Sequence, residues 1–326
     1  MALFTRLSPR NHVEYATVCQ AKQQIDVVIP VYNGAAFILD TLKTVFAQVL
    51  PDGWAMQVYV VDDASTDDTQ ARVRAACPQA QLVALSPNQG RSIARNQGAA
   101  AGQGELLCFL DSDCQYQKPQ ALAAYIQVLN AGADVSFGAL HTDTPGFWGQ
   151  YQQAVFVQRI TQARQGNMQV MTSANFALRR SVFEWVQGFN TDYTHYGFED
   201  HDLLQRLLNA GCDIQFCANV VASHENDDTL GALCHKLNSS AQHSAPLFMQ
   251  QHSRVYAAMS YARVDVRLRP ALRYLNWLGA PLLPVLITIG ERGVHWPLPY
   301  RLKKLYVQGV MALAYLRGSA KYDGGA

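Results

Sequence analysis

Three acidic clusters, one pair of arginines and one histidine carry the residue types from which chemistry can be built in this 326-residue chain. Asp111-Ser112-Asp113 closes the run Glu105–Leu110. Two carboxylates one residue apart at the end of a buried strand can hold a hard divalent cation and leave positions open for phosphate oxygens. Asp62-Asp63 closes a second apolar run, Gln57–Val61. A carboxylate there can accept hydrogen bonds from a nucleobase N–H or from ribose hydroxyls, whereas Ser65 to Asp68 read as capping and turn residues. In Asn88–Gly98 a glycine turn opens a helix on which Arg91 and Arg95, four apart, share a face suited to a diphosphate. Glu199-Asp200-His201-Asp202 sets acids at a helix start, where they favour the macrodipole or, inside a cleft, serve as a general base. His224 follows the apolar run Cys217–Val221 and offers a further ligand to a manganese-like ion beside Asp-x-Asp.

These groups need a frame. Ile25–Pro30, Gln57–Val61, Gln81–Leu85 and Glu105–Leu110 are predicted strands, and a further strand is predicted at Asp134–Gly138. Helical patterns fall between them, at about 36–48, from the Ser65–Asp68 caps to about Cys77, at 91–101 and at about 119–131. Alternation with short connections predicts a parallel sheet covered on both faces, with ligands beyond the carboxyl ends of the strands. All of the N-terminal polar clusters fall at those ends. Beyond Gly138 the prediction is a polar loop over His141–Gly149, a helix over Gln150–Arg164, a strand at Asn175–Leu178 and an amphipathic helix at Glu199–Ala210 closed by Gly211.

Composition adds a second theme. Hydrophobic residues make up 49% and charged residues only 16%, so more surface than usual is expected to be apolar. From Arg254 onward there are 11 Lys/Arg against 3 Asp/Glu, and before it 15 against 22. The stretch Tyr274–Gly290 has no charge, but with Pro281 and Pro284 it falls short of a spanning helix. Flanked by Arg267, Arg269, Arg273, Arg301, Lys303 and Lys304, it reads as an interfacial or re-entrant segment on an anionic membrane surface, or else as a buried helical hairpin. The basic residues alternate with Trp277, Trp296 and Tyr300 instead of forming a dense patch, so no nucleic acid is expected as a partner. Seven scattered cysteines without a C-x-x-C pair predict a reducing compartment with neither a disulfide framework nor a structural zinc. Met1–Gln24 lacks the apolar region of a secretory signal, so a cytoplasmic location is expected, peripheral on the inner face of the plasma membrane if the C-terminal segment binds there.

Taken together, VVIPVYNG (27–34), VVDDASTDDT (60–69), GRSIARNQG (90–98), GELLCFLDSD (104–113) and GFEDHDL (197–203) resemble the family 2 glycosyltransferases of GT-A fold. The likeness runs from about Ile25 to Glu225. It implies a Rossmann-like, mostly parallel sheet with helices on both faces and a helical C-terminal extension. The domains that follow are an N-terminal extension (1–24), a GT-A domain (25–245, nucleotide half 25–138 and acceptor half 139–245) and a helical, basic and apolar region (246–326). The resemblance implies donor contacts from Pro30, Val31, Tyr32, Asn33, Asp63, Arg91, Arg95, Asp111 and Ser112. It implies Asp113, His224 and Asp111 at a divalent cation (Mn2+ or Mg2+), Asp200 as base, and Asn175, Glu199 and Asp202 near the acceptor. The implied reaction is inverting transfer from a nucleotide-diphosphate sugar, a UDP-sugar foremost, to a saccharide or lipid-linked hydroxyl in cell-surface polysaccharide, lipopolysaccharide or glycolipid synthesis. A sugar nucleotidyltransferase would carry a glycine-rich basic segment where VIPVYNG stands, and a binding module without turnover would be expected to lack Asp113 or Asp200.

Overall fold

The computed structural model describes residues 22–225 and 229–321, so most of the expected N-terminal extension lies outside the described residues. Eight strands form one sheet: β1 (Gln23–Val31), β2 (Trp54–Asp62), β3 (Gln81–Ala84), β4 (Leu106–Leu110), β5 (Cys114–Tyr116), β6 (Val135–His141), β7 (Asn175–Arg179) and β8 (Ile214–His224). The order is β3-β2-β1-β4-β7-β6-β8-β5. The first four are parallel, as the alternating pattern predicts. The expected fifth parallel strand does not join β4: β7 runs between them, antiparallel to both β4 and β6. The reason lies in the crossover. The chain leaves β6, runs along one long helix and returns in the opposite sense, a route that strand patterns alone do not reveal.

The helices are α1 (Ile38–Phe46), α2 (Thr69–Ala76), α3 (Arg91–Ala101), α4 (Ala121–Asn130), α5 (Gly146–Arg164), α6 (Arg180–Trp185), α7 (Glu199–Asn209), α8 (Leu230–Ser239), α9 (Ala245–Gln251), α10 (Ser253–Ala258), α11 (Leu272–Gly279), α12 (Leu283–Gly293) and α13 (Tyr300–Ala320). Helix α5 starts at Gly146, so the expected loop His141–Gly149 shrinks to its first few residues. The β1 side chains alternate between two cores. Ile25, Val27 and Ile29 join α1 and α4 on one face, and Val28 joins α3 and α7 on the other, so the sheet centre is covered on both sides. Helix α3 lies close against the sheet at Gly98, where a Cβ would come within 2.3 Å of Val28 and 2.8 Å of Val61.

After Leu230 the chain is helical. A third core joins Tyr193 and Phe198 to Ala241, Phe248, Tyr256 and Tyr315, tying this region to the start of α7. Helices α12 and α13 pair over α8 and bury Leu283, Val307, Val310 and Ala314. The expected shortfall in length is corrected: the helical path runs from Leu272 to Gly293, long and apolar enough to cross a membrane. Pro281 and Pro284 sit in the first turns of a short 3-10 helix and of α12, where a missing N–H costs nothing. The buried-hairpin expectation holds only for the inner face, because Tyr274 and Trp277 are 78% and 76% exposed and Leu278, Leu282 and Val285 are exposed with them.

Candidate active site

Beyond the ends of β1, β2 and β4, two turns interlock. Asn33, at φ 52°, donates its backbone N–H to Ser65 Oγ (2.8 Å) and accepts from the Thr66 backbone through Oδ1 (2.8 Å). Asn33, expected at the donor, is exposed and joins the two turns. Pro30 and Val31 end β1, and Tyr32, 53% exposed, stands at the open edge where a planar base can stack. The Asp63 carboxylate is buried and accepts the Gln89 and Gly90 backbone N–H groups (2.7 and 2.8 Å). Its first task is to hold the loop that opens α3, and a nucleotide contact would draw on its remaining lone pairs.

Asp111 and Asp113 face different partners. Asp111 Oδ1 accepts from Arg95 Nη2 at 2.8 Å, and Arg95 also lies 3.5 Å from Glu199 Oε1 and over the Phe189 ring. Arg95, expected at a diphosphate, is 2% exposed, lines the cleft and sets its charge between two carboxylates in the cleft floor. Burial opposes the charge on Asp111, but Arg95 and Arg91 outweigh it and hold this carboxyl below the usual range. Ser112 is fixed through its carbonyl, which accepts from Thr41 Oγ1 at 2.8 Å. Asp113 Oδ2 lies 3.6 Å from His224 Nε2, where β5 pairs with β8, and burial raises its carboxyl above the usual range.

Asp113, His224 and Cys114 bring ligand atoms within 4.8 Å of one another. Burial and the two aspartates push the Cys114 thiol well above its ordinary value. Cys114 is fully buried, whereas Asp113 and His224 line the cleft, so the donor set that faces it is carboxylate plus imidazole. That set suits a manganese-like ion. Asp111, expected as a further ligand, is absent from the group because it turns to Arg95. The Gln152 amide lies 3.0 Å from His224 Nδ1. Turned by 180°, it would accept from that nitrogen and leave Nε2 free as a lone-pair donor.

Across a cleft of ≈ 290 Å³, α7 supplies the second acidic pair. The turn before it is unusual: Gly197 has φ +90° and Phe198, a bulky residue, φ 71°. Phe198 is held there by Phe248, Tyr261 and Tyr256, with ring centroids 5.1, 5.5 and 5.9 Å away. Asp200 Oδ1 accepts from both the His201 backbone N–H (2.8 Å) and His201 Nδ1 (2.9 Å). Burial opposes the Asp200 charge, but His201 overrides it and holds the carboxyl well below the usual range; Asp200 in turn overrides burial to raise His201. Glu199 is buried in the cleft wall with Oε2 unpartnered, and burial and Asp200 raise its carboxyl.

Two residues expected near the acceptor do not fit that place. Asp202, 1% exposed, bonds Arg206 at 2.8–2.9 Å and His252 at 2.9 Å, so it anchors α7 to the α9–α10 junction. Asn175 is spent inside the sheet, accepting from Tyr125 Oη (2.8 Å) and donating to the Ala139 carbonyl (3.2 Å). Conversely, the cleft gains Gln152 and Arg159 from α5, Lys236 from α8, Tyr196 and Tyr261, none of which stands in a local motif. Arg91 and Lys236 lie over the Tyr196 ring at 5.0 and 5.6 Å from its centroid, and both line the cleft. Only Cys114 had a sequence signal, its place directly after Asp113.

Comparisons with known proteins bear on the family and the fold. The model of "Glycosyl transferase family 2" matches residues 26–186, and that of "N-terminal domain of galactosyltransferase" matches 161–226, the stretch holding Asp200 and His224. Glycosyltransferase AglE of Haloferax volcanii is 27% identical over 204 residues, 61% of this chain and 66% of that protein. Succinoglycan biosynthesis protein ExoO of Rhizobium meliloti is 36% identical over 114 residues, 34% of this chain and 32% of that protein. The chain thus spans less than two thirds of the length of each of these relatives. In fold it is similar to the mannosyltransferase PcManGT of Pyrobaculum calidifontis, solved with GDP-Man and Mn2+ (TM-score 0.59, 20% identity, 91% of this chain and 87% of that one). It is also similar to glucosyl-3-phosphoglycerate synthase of Mycobacterium tuberculosis, solved with Mn2+, UDP and phosphoglyceric acid (TM-score 0.51, 21% identity, 70% and 78%). With the α/β sheet of the GT-A fold in place, residues 26–186, from β1 through α6, carry a glycosyltransferase family 2 domain.

Proposed function

We propose that this protein transfers a glycosyl group, with inversion, from a nucleotide-diphosphate sugar to a hydroxyl acceptor in polysaccharide or glycolipid synthesis. One observation carries the reading: a carboxylate–imidazole pair suited to a divalent cation and an ionised carboxylate with one oxygen uncommitted line the same cleft. The uncommitted Asp200 oxygen takes the proton of the acceptor hydroxyl as that oxygen bonds to the anomeric carbon. The bond from that carbon to the diphosphate breaks on the opposite face, and the nucleoside diphosphate leaves. Asp113 and His224 would hold a Mn2+ or Mg2+ ion, which supplies positive charge for the leaving diphosphate. Relatives in fold bind GDP-Man with Mn2+ and UDP with Mn2+, which supports both a metal and a nucleotide here. The donor test is nucleotide release from UDP-, GDP- and dTDP-sugars with manganese and with chelator, a UDP-sugar being the expected substrate. Equal release with chelator would remove the metal from the proposal, and no release from any donor would favour a binding module.

The exposed face of α11 and α12, with Arg269, Arg273, Arg301, Lys303 and Lys304 around it in sequence, is proposed to rest on an anionic membrane on the cytoplasmic side and to bring a lipid-linked acceptor near the cleft; Arg267 is instead paired with the buried Asp265. Flotation with phosphatidylglycerol vesicles tests this. Trp277→Ser together with Tyr274→Ser should reduce co-flotation, and no flotation of the wild-type chain would refute it.

A further inference from the structure

A second cavity borders the cleft and has no part in the donor chemistry. It is an open depression of ≈ 730 Å³ between the start of α5 and the loop joining α12 to α13. Phe147, Trp148 and Tyr300 form its aromatic side, with Phe147 centroids 5.1 Å from Trp148 and 5.6 Å from Tyr300, and all three are half-buried. Asp143, Gln150 and His295 supply polar groups on the same lining. Flat rings beside planar carboxylate and amide groups suit one ligand chemistry in particular. A pyranose has an apolar C–H face to lie on a ring and equatorial hydroxyls for the polar groups, and a volume between about 300 and 1,000 Å³ is usual for small-molecule sites.

Its location relates it to the reaction. Helix α5 separates the two cavities: Gln152, Phe156 and Arg159 line the cleft, while Gln150 and Gln153 line the second cavity. A helix is about 10–12 Å across with its side chains, so the two cavities are neighbours and not remote sites. On the sheet side, His141 pairs in register with Ser223, next to His224, and Thr142 begins the wall of the second cavity.

We propose that this cavity binds a saccharide ring of the acceptor beyond the ring whose hydroxyl reacts. The inference rests on the transferase reading above and names its substrate class as an acceptor of more than one sugar. The test uses the full chain and an array of printed hexose, N-acetylhexosamine and deoxyhexose oligosaccharides, with Mn2+-dependent UDP, GDP and dTDP binding measured on the same samples. Trp148→Ala should cut the signal on the glycans that the wild type binds by at least about tenfold. Gln150→Ala, at an exposed position that no core depends on, should weaken it in the same direction. Asp113→Ala should lose Mn2+-dependent nucleotide binding and keep the glycan signal. Glycan binding by wild type that neither Trp148→Ala nor Gln150→Ala reduces overturns the proposal, as does a wild type that binds no glycan on the array. Trp148-dependent glycan binding by a wild type that binds none of UDP, GDP and dTDP sustains the cavity and refutes the transferase reading.

Discussion

The two acidic corners of the cleft are built in opposite ways. Asp111 and Asp113 sit at the end of β4, between β1 and β7 in the sheet, and their settings follow from strand pairing and from Arg95 on α3. Glu199 and Asp200 sit on a left-handed turn that the local chain does not favour, held by rings contributed from 50 to 63 positions later. The contrast shows that the proposed donor corner and the proposed base corner depend on different parts of the chain, so damage to one need not reach the other.

The largest expected effect tests that independence at the base. Asp200→Asn should lower transfer by about 10²–10⁴-fold while leaving Mn2+-dependent nucleotide affinity near wild type; steady-state rates and nucleotide titration read the two separately. Next in size, Arg95→Met strips the buried countercharge from Asp111 and Glu199 on both sides of the cleft, so it is the change that couples the corners. It should cost about 3–5 kcal/mol of stability in denaturant melts. His224→Ala should weaken Mn2+ binding by about 10–100-fold, read by titrating the ion, without lowering the melting temperature comparably.

The smallest effect concerns the Asp200–His201 pair. Asp200, held low in the fold, adds stability that is fully present above about pH 4 and lost as pH falls through its folded value. His201, held high, adds stability that is fully present below about pH 6.5 and lost as pH rises through its folded value. The pair therefore supports the turn most between those limits. An NMR titration should find His201 above its ordinary value in the wild type and lower in Asp200→Asn; an unchanged midpoint would mean that the two side chains do not share charge.

The donor half was legible in the sequence because its signals are local. Apolar runs ending in Asp62-Asp63 and Asp111-Ser112-Asp113 give both the strands and the ends at which ligands bind, and Gly90 before Arg91 marks the start of α3. The partners of charged groups were not legible. Whether Arg95 faces a diphosphate or Asp111 depends on a helix packing against the sheet at Gly98, and whether Asp202 is a base or an anchor depends on His252, fifty residues away. The insertion of β7 beside β4 left no trace in the periodicity, and the helices after Leu230 lacked any motif to tie them to the cleft.

The ring-held turn at Phe198 also sets an order of events in time. Chains emerge from the ribosome N-terminus first at about 5–20 residues per second, so the strands that carry Asp63, Asp111 and Asp113 are available before Phe248, Tyr256 and Tyr261 exist. During synthesis the donor corner can close while Phe198 still lacks the rings that hold it in place. On the proposed mechanism, nucleotide capture can then precede alignment of Asp200 during synthesis, and transfer waits until the C-terminal helices have docked.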